Sequence, residues 1–291
     1  MMIFNQNITI PLWKETIPNY REVGEKNTVD FDDSDNLEFY SIVVKPEISV
    51  FLPSAKNRNG RAVLVIPGGG YNVVAHKWEG EDIAKWLNSY GISAFVLKYR
   101  LPHAKSNIVP HISPLIDAIR AMKQIRSNAV DWRIDKNNIG VMGFSAGGHL
   151  ASTLGTHFDE KIYEFTDDID KYSARPDFMV LDYPVISMSE NFTHKGSKFF
   201  LLGEKPSVEL MNYFSNEKNI KNNTPPTFLV HASDDKVVDV ENSIAFYRGL
   251  RKKNIDAELH IFQNGGHAFA LANGSEAAEA WKKLCLEWLN K

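Results

Sequence analysis

Apolar residues follow two distinct patterns along this chain, continuous runs and a helical periodicity. Short, mostly apolar runs, typical of strands buried on both faces of a sheet, occur at Arg61–Ile66, Ile92–Leu97, Ile139–Met142, Phe178–Leu181 and Thr227–His231. A further strand is predicted at Ala257–Phe262. Segments with apolar residues every three or four positions predict helices, and these lie at Glu79–Tyr90, Ser113–Ser127, Asn242–Lys252 and Glu276–Leu289. Strands that alternate with helices in this way predict an α/β fold with a mostly parallel sheet covered by helices on both faces.

Two segments depart from this alternation. Residues 1–60 are polar and rich in turn residues, and strand-like fragments at Ile8–Ile10, Phe39–Val44 and Ile48–Leu52 predict an antiparallel entry to the sheet. Residues 186–226 contain aromatic and aliphatic residues without strand periodicity, and we expect a short cap-like insertion over the carboxyl edge of the sheet. Because no repeat or linker interrupts the 291 residues, the sequence predicts a single domain over 1–291.

The candidate chemistry centres on Gly143-Phe144-Ser145-Ala146-Gly147, which lies between a predicted strand and an apolar segment that reads as a helix start. A serine between two glycines at a strand-to-helix corner is typical of a nucleophile elbow. The glycines permit a sharp backbone turn that side chains would block. The pattern therefore predicts Ser145 as a nucleophile held above the sheet.

A serine hydroxyl is a weak nucleophile that needs a neighbouring base, and that base needs an orienting acid. His260 lies inside a predicted strand, where we expect it to pack or to face solvent. His267 follows the Asn264-Gly265-Gly266 turn beyond that strand, and a loop at the carboxyl end of a strand is where a base can reach the elbow. His267 is therefore the predicted base.

Three aspartates are candidates for the orienting acid. Asp235 follows the strand that begins at Thr227 and is the preferred candidate. Its neighbour Asp234 is an alternative, although it could instead brace the turn by accepting backbone N–H groups. Asp182, at the end of the preceding strand, is the third candidate.

The turn Gly68-Gly69-Gly70 follows the buried run that ends at Ile66. Such a turn, together with the N–H of Ala146, could form an oxyanion hole, which needs two or three backbone donors aimed at one point. A plain tight turn is the alternative interpretation. A nucleotide-binding loop is disfavoured because neither Gly-Lys-Ser/Thr nor G-x-G-x-x-G spacing occurs, and without an H-E-x-x-H pattern we expect no metal and no cofactor.

Composition excludes several functional classes. The formal net charge of −3, without runs of one sign, argues against a nucleic-acid partner or a polybasic membrane anchor. No apolar run approaches the ~18 residues that span a bilayer, and the absence of a signal-peptide pattern predicts a cytoplasmic location. The single cysteine, Cys285, lies at helical spacing from Trp281 and Trp288, which indicates a small core residue.

Taken together, the elbow, the glycine turn, the Asp235 loop and His267 resemble the α/β-hydrolase superfamily. A narrower resemblance is to the bacterial esterase family that includes acetyl-xylan esterase-like and feruloyl-esterase-like enzymes. It covers the chain from about Leu12 onward. Its motifs are Pro67–Tyr71, Trp78–Glu81, Lys98–Pro102, Tyr183–Met188 and Leu201–Gly203.

The resemblance implies Ser145 as nucleophile, Asp235 as acid and His267 as base, with N–H groups of Gly69, Gly70 and Ala146 in the oxyanion hole. One departure is Pro67 in the place of the histidine of the lipase pattern His-Gly-Gly-Gly, which leaves open which N–H groups point into the hole.

We therefore expect a serine carboxylic-ester hydrolase whose partner is a small-molecule ester, with acylated sugars as the substrate class by analogy. Tyr71, Phe144 and the 186–226 segment are predicted to shape the substrate pockets. A peptidase or amidase on the same scaffold, or a binding protein with a relic site, are the alternatives, and the sequence leaves a homo-oligomer open.

Overall fold

The structure, a computed structural model, describes residues 8–32, 37–271 and 275–291. The strands in these ranges are β1 (Ile8–Pro11), β2 (Thr28–Asp32), β3 (Leu37–Ile42), β4 (Glu47–Phe51), β5 (Ala62–Ile66), β6 (Ser93–Lys98), β7 (Ile139–Phe144), β8 (Met179–Asp182), β9 (Thr227–Ala232) and β10 (Ala257–Phe262). Eight of them form a central sheet in the order β1-β4-β6-β5-β7-β8-β9-β10. The pairings of β1 with β4 and of β4 with β6 are antiparallel, and the remaining pairings of this sheet are parallel.

Helices cover both faces of this sheet. They are α1 (Asp82–Ser89), α2 (Ser113–Ser127), α3 (Ala146–His157), α4 (Lys195–Leu202), α5 (Val208–Tyr213), α6 (Glu241–Lys252) and α7 (Glu276–Leu289). Apolar side chains of α2, α3 and α6 belong to one core cluster. Those of α1 and α7 belong to a second cluster on the other face. Because each inner strand is buried on both faces, its sequence is a continuous apolar run, as the sequence predicts.

The register of the central strands brings the two predicted motifs together. In β5 and β7 the partners run from Ala62 opposite Ile139 to Ile66 opposite Gly143. Both strands therefore end at the same edge of the sheet. The glycine turn that follows β5 and the serine corner that follows β7 consequently lie side by side.

The polar amino-terminal region differs from the prediction in two respects. Strand β2 is not predicted by the sequence, and the predicted fragment Phe39–Val44 overlaps β3 but does not enter the main sheet. Strands β2 and β3 pair antiparallel in a separate two-stranded sheet. This ribbon is tied to the main body by backbone hydrogen bonds in both directions between Tyr40 and Val74. The run Thr28–Asp32 is short and polar, and its strand character comes from this pairing rather than from its own composition.

A buried ion pair explains part of the Lys98–Pro102 motif. Arg100 and Asp117 are both fully buried, and their closest atoms, Nη2 and Oδ1, lie 2.7 Å apart. The Arg100 guanidinium also donates to the carbonyl of Pro18, at 2.8 Å. This residue therefore joins the amino-terminal segment, the end of β6 and helix α2. The neighbouring Tyr99 hydroxyl donates to the carbonyl of Pro67 and so supports the start of the glycine turn.

Segment 186–226, predicted as an insertion, carries α4, α5 and a short 3-10 turn at Asn216–Lys218. The carbonyl of Phe214 lies 2.8 Å from Nε2 of His149 in the first turn of α3. Asn216 donates to the carbonyl of the same histidine. These contacts hold the segment against the helix that follows the serine corner. A role as a cap over bound substrate stays a prediction.

Across the three described ranges, no helix has both the length and the apolar character that a membrane crossing requires.

Candidate active site

The serine corner is a strained turn that depends on two glycines. Ser145 has φ 51° and ψ −119°, a conformation rare for a residue with a side chain. A Cβ on Gly143 would lie 2.4 Å from the carbonyl oxygen of Gly147, and one on Gly147 would lie 2.1 Å from that of Ile66. Both positions therefore exclude any larger residue. The surrounding strands hold the turn, since the Ser145 N–H donates to the carbonyl of Asp182 at 3.1 Å.

Three side chains from three separate loops meet at this corner. Nε2 of His267 lies 2.9 Å from Oγ of Ser145, and Nδ1 of His267 lies 2.7 Å from Oδ2 of Asp235. A carboxylate only accepts hydrogen bonds, so Nδ1 carries the proton. In the neutral imidazole Nε2 is then a lone-pair acceptor that faces the serine hydroxyl. The structure thus brings together the three residues predicted as nucleophile, base and acid.

Asp235 is held as an ionised acceptor by four donors. Its Oδ1 accepts from the N–H groups of Val237 and Val238, both at 2.9 Å. Nε2 of the buried His231 lies 2.9 Å from the Val238 carbonyl, which only accepts, so this nitrogen carries a proton that also faces Oδ2 of Asp235 at 3.3 Å. Burial raises the pKa of Asp235, but the hydrogen bonds from His231 and His267 outweigh burial and hold the pKa well below its usual range.

The other two candidate acids do not contact the base in this structure. Oδ1 of Asp234 accepts from the N–H groups of Gly265 and Gly266, at 2.9 and 2.8 Å, and so fixes the turn that leads into His267. This is the bracing role that the sequence analysis gave as its alternative. Asp182 is fully buried, and neither of its carboxyl oxygens has a hydrogen-bond partner. Burial raises the pKa of Asp182 well above its usual range, and an acid in that state is a neutral group.

The glycine turn after β5 lies directly against the serine corner. A Cβ on Gly68 would be 3.0 Å from Cβ of Ser145, and one on Gly69 would be 2.3 Å from the carbonyl oxygen of Val73. Gly69 and Gly70 have φ of 118° and 65°, which favour glycine. Among the described residues the N–H groups of Gly69 and Gly70 have no acceptor within hydrogen-bond distance. The N–H of Ala146 is in the first turn of α3, where no intrahelical acceptor exists.

Both predicted substrate contacts require correction. The side chain of Phe144 is fully buried in the core cluster on the α7 face, with its ring 6.5 Å from that of Trp281. Its ring also lies 6.0 Å from that of Tyr183, so Phe144 belongs to the core beneath the site rather than to an open pocket. The Tyr71 side chain is 1% exposed, and its hydroxyl lies 2.7 Å from Nδ1 of His149. Tyr71 therefore supports the glycine turn from inside the protein.

Residues that sequence reasoning did not assign also adjoin the site. Glu79 is buried, and Oε2 of its carboxylate accepts the Gly68 N–H at 2.8 Å. The ring of Tyr183 packs edge-on against the His267 imidazole, with centroids 5.0 Å apart. Burial, and the positive charge that His267 can carry, lower the pKa of His194, which precedes α4. The only sequence signal for Glu79 and Tyr183 is their presence in motifs of the family resemblance.

The parallel sheet, the strained serine corner and the adjoining glycine turn define the class of α/β-hydrolases, and the predicted fold is confirmed. The profile of the BD-FAE family matches residues 48–250, more than half of the chain, so the chain belongs to this family. A profile of the dienelactone hydrolase family matches residues 211–291. The predicted resemblance to bacterial esterases of this group is thereby confirmed.

Two bacterial proteins are among the relatives of this chain. The chain is 36% identical over 229 residues to the acetylxylan esterase of Xylanibacter ruminicola, and this alignment covers 77% of this chain and 44% of that protein. The chain is 42% identical over 212 residues to endo-1,4-beta-xylanase B of Butyrivibrio fibrisolvens, and this alignment covers 72% of this chain and 33% of that protein. The chain thus spans less than half the length of these two relatives.

A solved structure covers nearly the whole chain. The acetyl ester-xyloside bifunctional hydrolase from Caldicellulosiruptor lactoaceticus is 40% identical, with a TM-score of 0.82. The alignment covers 99% of this chain and 97% of that one. The described fold is therefore shared along almost its full length with a hydrolase of esters.

Proposed function

We propose that this protein is a serine carboxylic-ester hydrolase that removes small acyl groups, acetyl above all, from sugars. The observation that carries the proposal is the 2.9 Å approach of the His267 imidazole to the Ser145 hydroxyl, with Asp235 bound to its other nitrogen. The contact with Asp235 keeps the imidazole proton on Nδ1, and only in this tautomer can Nε2 of His267 accept the serine proton. The esterase and xyloside hydrolase names of its relatives support the ester bond and the acetylated sugar as substrate class.

The first half of the reaction transfers the acyl group to the enzyme. Oγ of Ser145 forms a bond to the ester carbonyl carbon while its proton passes to Nε2 of His267. The carbonyl oxygen becomes an oxyanion, for which the N–H groups of Ala146, Gly69 and Gly70 are the available donors. The bond from carbon to the sugar oxygen then breaks, and His267 returns its proton to that oxygen.

The second half releases the acid. Water gives a proton to Nε2 of His267 as its oxygen attacks the acyl-serine carbonyl. Collapse of this second intermediate breaks the bond to Oγ of Ser145, and the proton returns to the serine. Asp235 stays ionised throughout and stabilises the imidazolium that forms twice in each cycle.

Substitution of the serine tests the proposal. Ser145→Ala should reduce hydrolysis of nitrophenyl acetate and of acetylated xylo-oligosaccharides to background, while the surface variant Ser89→Ala should retain full activity. A fluorophosphonate probe should label the unmodified protein and Ser89→Ala but not Ser145→Ala. Full turnover by Ser145→Ala would contradict the assigned nucleophile. Preferential cleavage of aminoacyl amides would indicate a peptidase, and absence of both labelling and turnover would indicate a binding protein.

A further inference from the structure

The buried carboxylate of Glu79 forms hydrogen bonds to two parts of the candidate site, the glycine turn and Tyr183 beside the base. Its Oε2 accepts the N–H of Gly68, the first residue of the glycine turn, at 2.8 Å. Its Oε1 accepts the hydroxyl of Tyr183 at 2.9 Å. The ring of Tyr183 in turn packs against the imidazole of His267. One side chain therefore connects the turn beside the serine with the support of the base.

The local backbone is shaped to bring this carboxylate inside. Glu79 lies on a single π-helical turn, Lys77–Glu81, and such turns occur frequently at functional sites. The next residue, Gly80, allows the turn to lie flat against the sheet, since a Cβ there would be 2.7 Å from a methyl of Val96. Tyr183 is also strained, with φ 38°. Strain of this kind persists where the surroundings impose it, and it clusters at active sites.

Both carboxyl oxygens of Glu79 accept hydrogen bonds, which is the pattern of an ionised carboxylate on this side of the base. Burial raises the pKa of the Glu79 carboxyl overall, and the Gly68 N–H, the Tyr183 hydroxyl and the charge of His267 oppose this rise. The adjacent Asp182 has no partner for either oxygen, and an ionised carboxylate without partners is too costly to bury, so it carries no charge. Among the residues that the structure describes, the ionisable groups that interact electrostatically with Glu79 or His267 are Tyr99, Asp182, Tyr183, His194 and Asp235.

We propose that Glu79 is a positioning residue that fixes the glycine turn through Gly68 and stabilises the protonated state of His267 through its charge. The inference rests on the ester hydrolysis proposed above, in which an imidazolium forms beside this carboxylate. A fixed negative charge in a site shielded from water acts more strongly than one at the surface. The hydrogen bonds of Glu79 go to Gly68 and Tyr183 rather than to Ser145 or His267, so it acts through the position of the turn and through its charge, not by contact with the reacting atoms.

Glu79→Gln separates charge from hydrogen bonding. The amide oxygen can still accept the Gly68 N–H, and the amide nitrogen can donate to the Tyr183 oxygen, so the shape of the site is retained. We expect kcat/KM for nitrophenyl acetate to fall about 5- to 50-fold on the pH plateau. Because loss of the charge disfavours the imidazolium, the acid limb of the pH profile should move to lower pH by about half to one unit. A role limited to packing would lower the plateau and leave the limb in place.

Two further variants keep the test decisive. Glu81→Gln removes the same charge from the same turn, but its partners Lys77 and Lys85 are surface lysines, so the limb should not move. Tyr183→Phe retains the ring against His267 and deletes one donor to Glu79, so its plateau should fall while it stays folded by thermal melting.

An NMR titration of the His267 imidazole, assigned by its loss in His267→Asn, measures the same midpoint without any substrate. An unchanged midpoint in Glu79→Gln overturns the inference even if the protein hydrolyses esters. A shifted midpoint in a protein that hydrolyses no ester supports the inference and contradicts the proposed function instead.

Discussion

Two neighbouring aspartates, Asp234 and Asp235, should respond very differently to the same substitution. Within the described part of the chain, Asp234 forms hydrogen bonds through Oδ1, which accepts two backbone N–H groups. Asparagine retains a carbonyl oxygen at that position, so Asp234→Asn should preserve both hydrogen bonds. Asp235 uses both oxygens, one for two backbone N–H groups and the other for His267 and His231. Asparagine offers only one acceptor oxygen, so Asp235→Asn must lose one of these pairs.

We expect the lost hydrogen bonds to be those that orient the base, His267. The two N–H groups at Val237 and Val238 are fixed in the backbone and will hold the remaining oxygen, which turns the amide NH₂ toward Nδ1 of His267. That nitrogen must then give up its proton, and the neutral imidazole carries its proton on Nε2, opposite Ser145. In this tautomer it cannot accept the serine proton, and we expect kcat to fall about 10³- to 10⁴-fold, or about 4–5.5 kcal/mol of transition-state stabilisation.

Steady-state hydrolysis of nitrophenyl acetate at neutral pH measures both variants side by side, with thermal melting to confirm that each is folded. Asp234→Asn should retain kcat within about threefold of the unmodified protein, since surface hydrogen bonds that are conserved in the variant contribute little change. If Asp235→Asn loses less than tenfold, or if Asp234→Asn loses as much as Asp235→Asn, the assignment of roles to these two residues is wrong.

Two further predictions concern stability. Asp117→Ala should lower the free energy of unfolding by about 3–5 kcal/mol, because it leaves the Arg100 charge buried without its partner. Asp168→Ala removes an exposed ion pair with Lys171 and should lower the free energy of unfolding by less than about 1 kcal/mol. Equal urea midpoints for the two variants would contradict this prediction. Burial raises the pKa of Asp170, but hydrogen bonds from Tyr163 and from Thr166, together with the Lys123 charge, lower it overall to about 2. A carboxyl with a depressed pKa stabilises the fold above the ordinary aspartate value near 4 and loses this contribution as pH falls toward 2. Asp170→Asn should therefore be about 1–2 kcal/mol less stable at pH 6, after allowance for solvent screening, with the difference shrinking between pH 4 and pH 2 in urea titrations.

The sequence is informative where burial is complete on both sides of a strand. The runs that become β5 to β9 are mostly apolar and buried, and the chain order of Ser145, Asp235 and His267 places one residue after each of three strands. The predicted helix Ser113–Ser127 coincides with α2, and the predicted closing helix coincides with α7. In these regions local pattern and tertiary environment agree, which is why the fold could be predicted.

Features that depend on long-range contacts could not be predicted from the local sequence pattern. The start of the helix predicted at Glu79 is a π turn, because its backbone is set by the approach to Val96 and Gly68 rather than by helical periodicity. Strand β2 exists through its pairing with β3. Phe144 was misassigned because a motif reports that a residue lies next to the nucleophile, but not on which face of the sheet its side chain falls.

The single cysteine has a practical consequence for studying motion near the site. Cys285 is fully buried in α7, and burial raises the pKa of its thiol, so the unmodified chain offers no reactive thiolate to a labelling reagent. The ring of Phe199 in α4, by contrast, is 53% exposed. A Phe199→Cys variant would therefore accept a fluorophore or spin label at one defined place. Such a label would follow α4 directly when a candidate ester is added, without any background from the rest of the molecule.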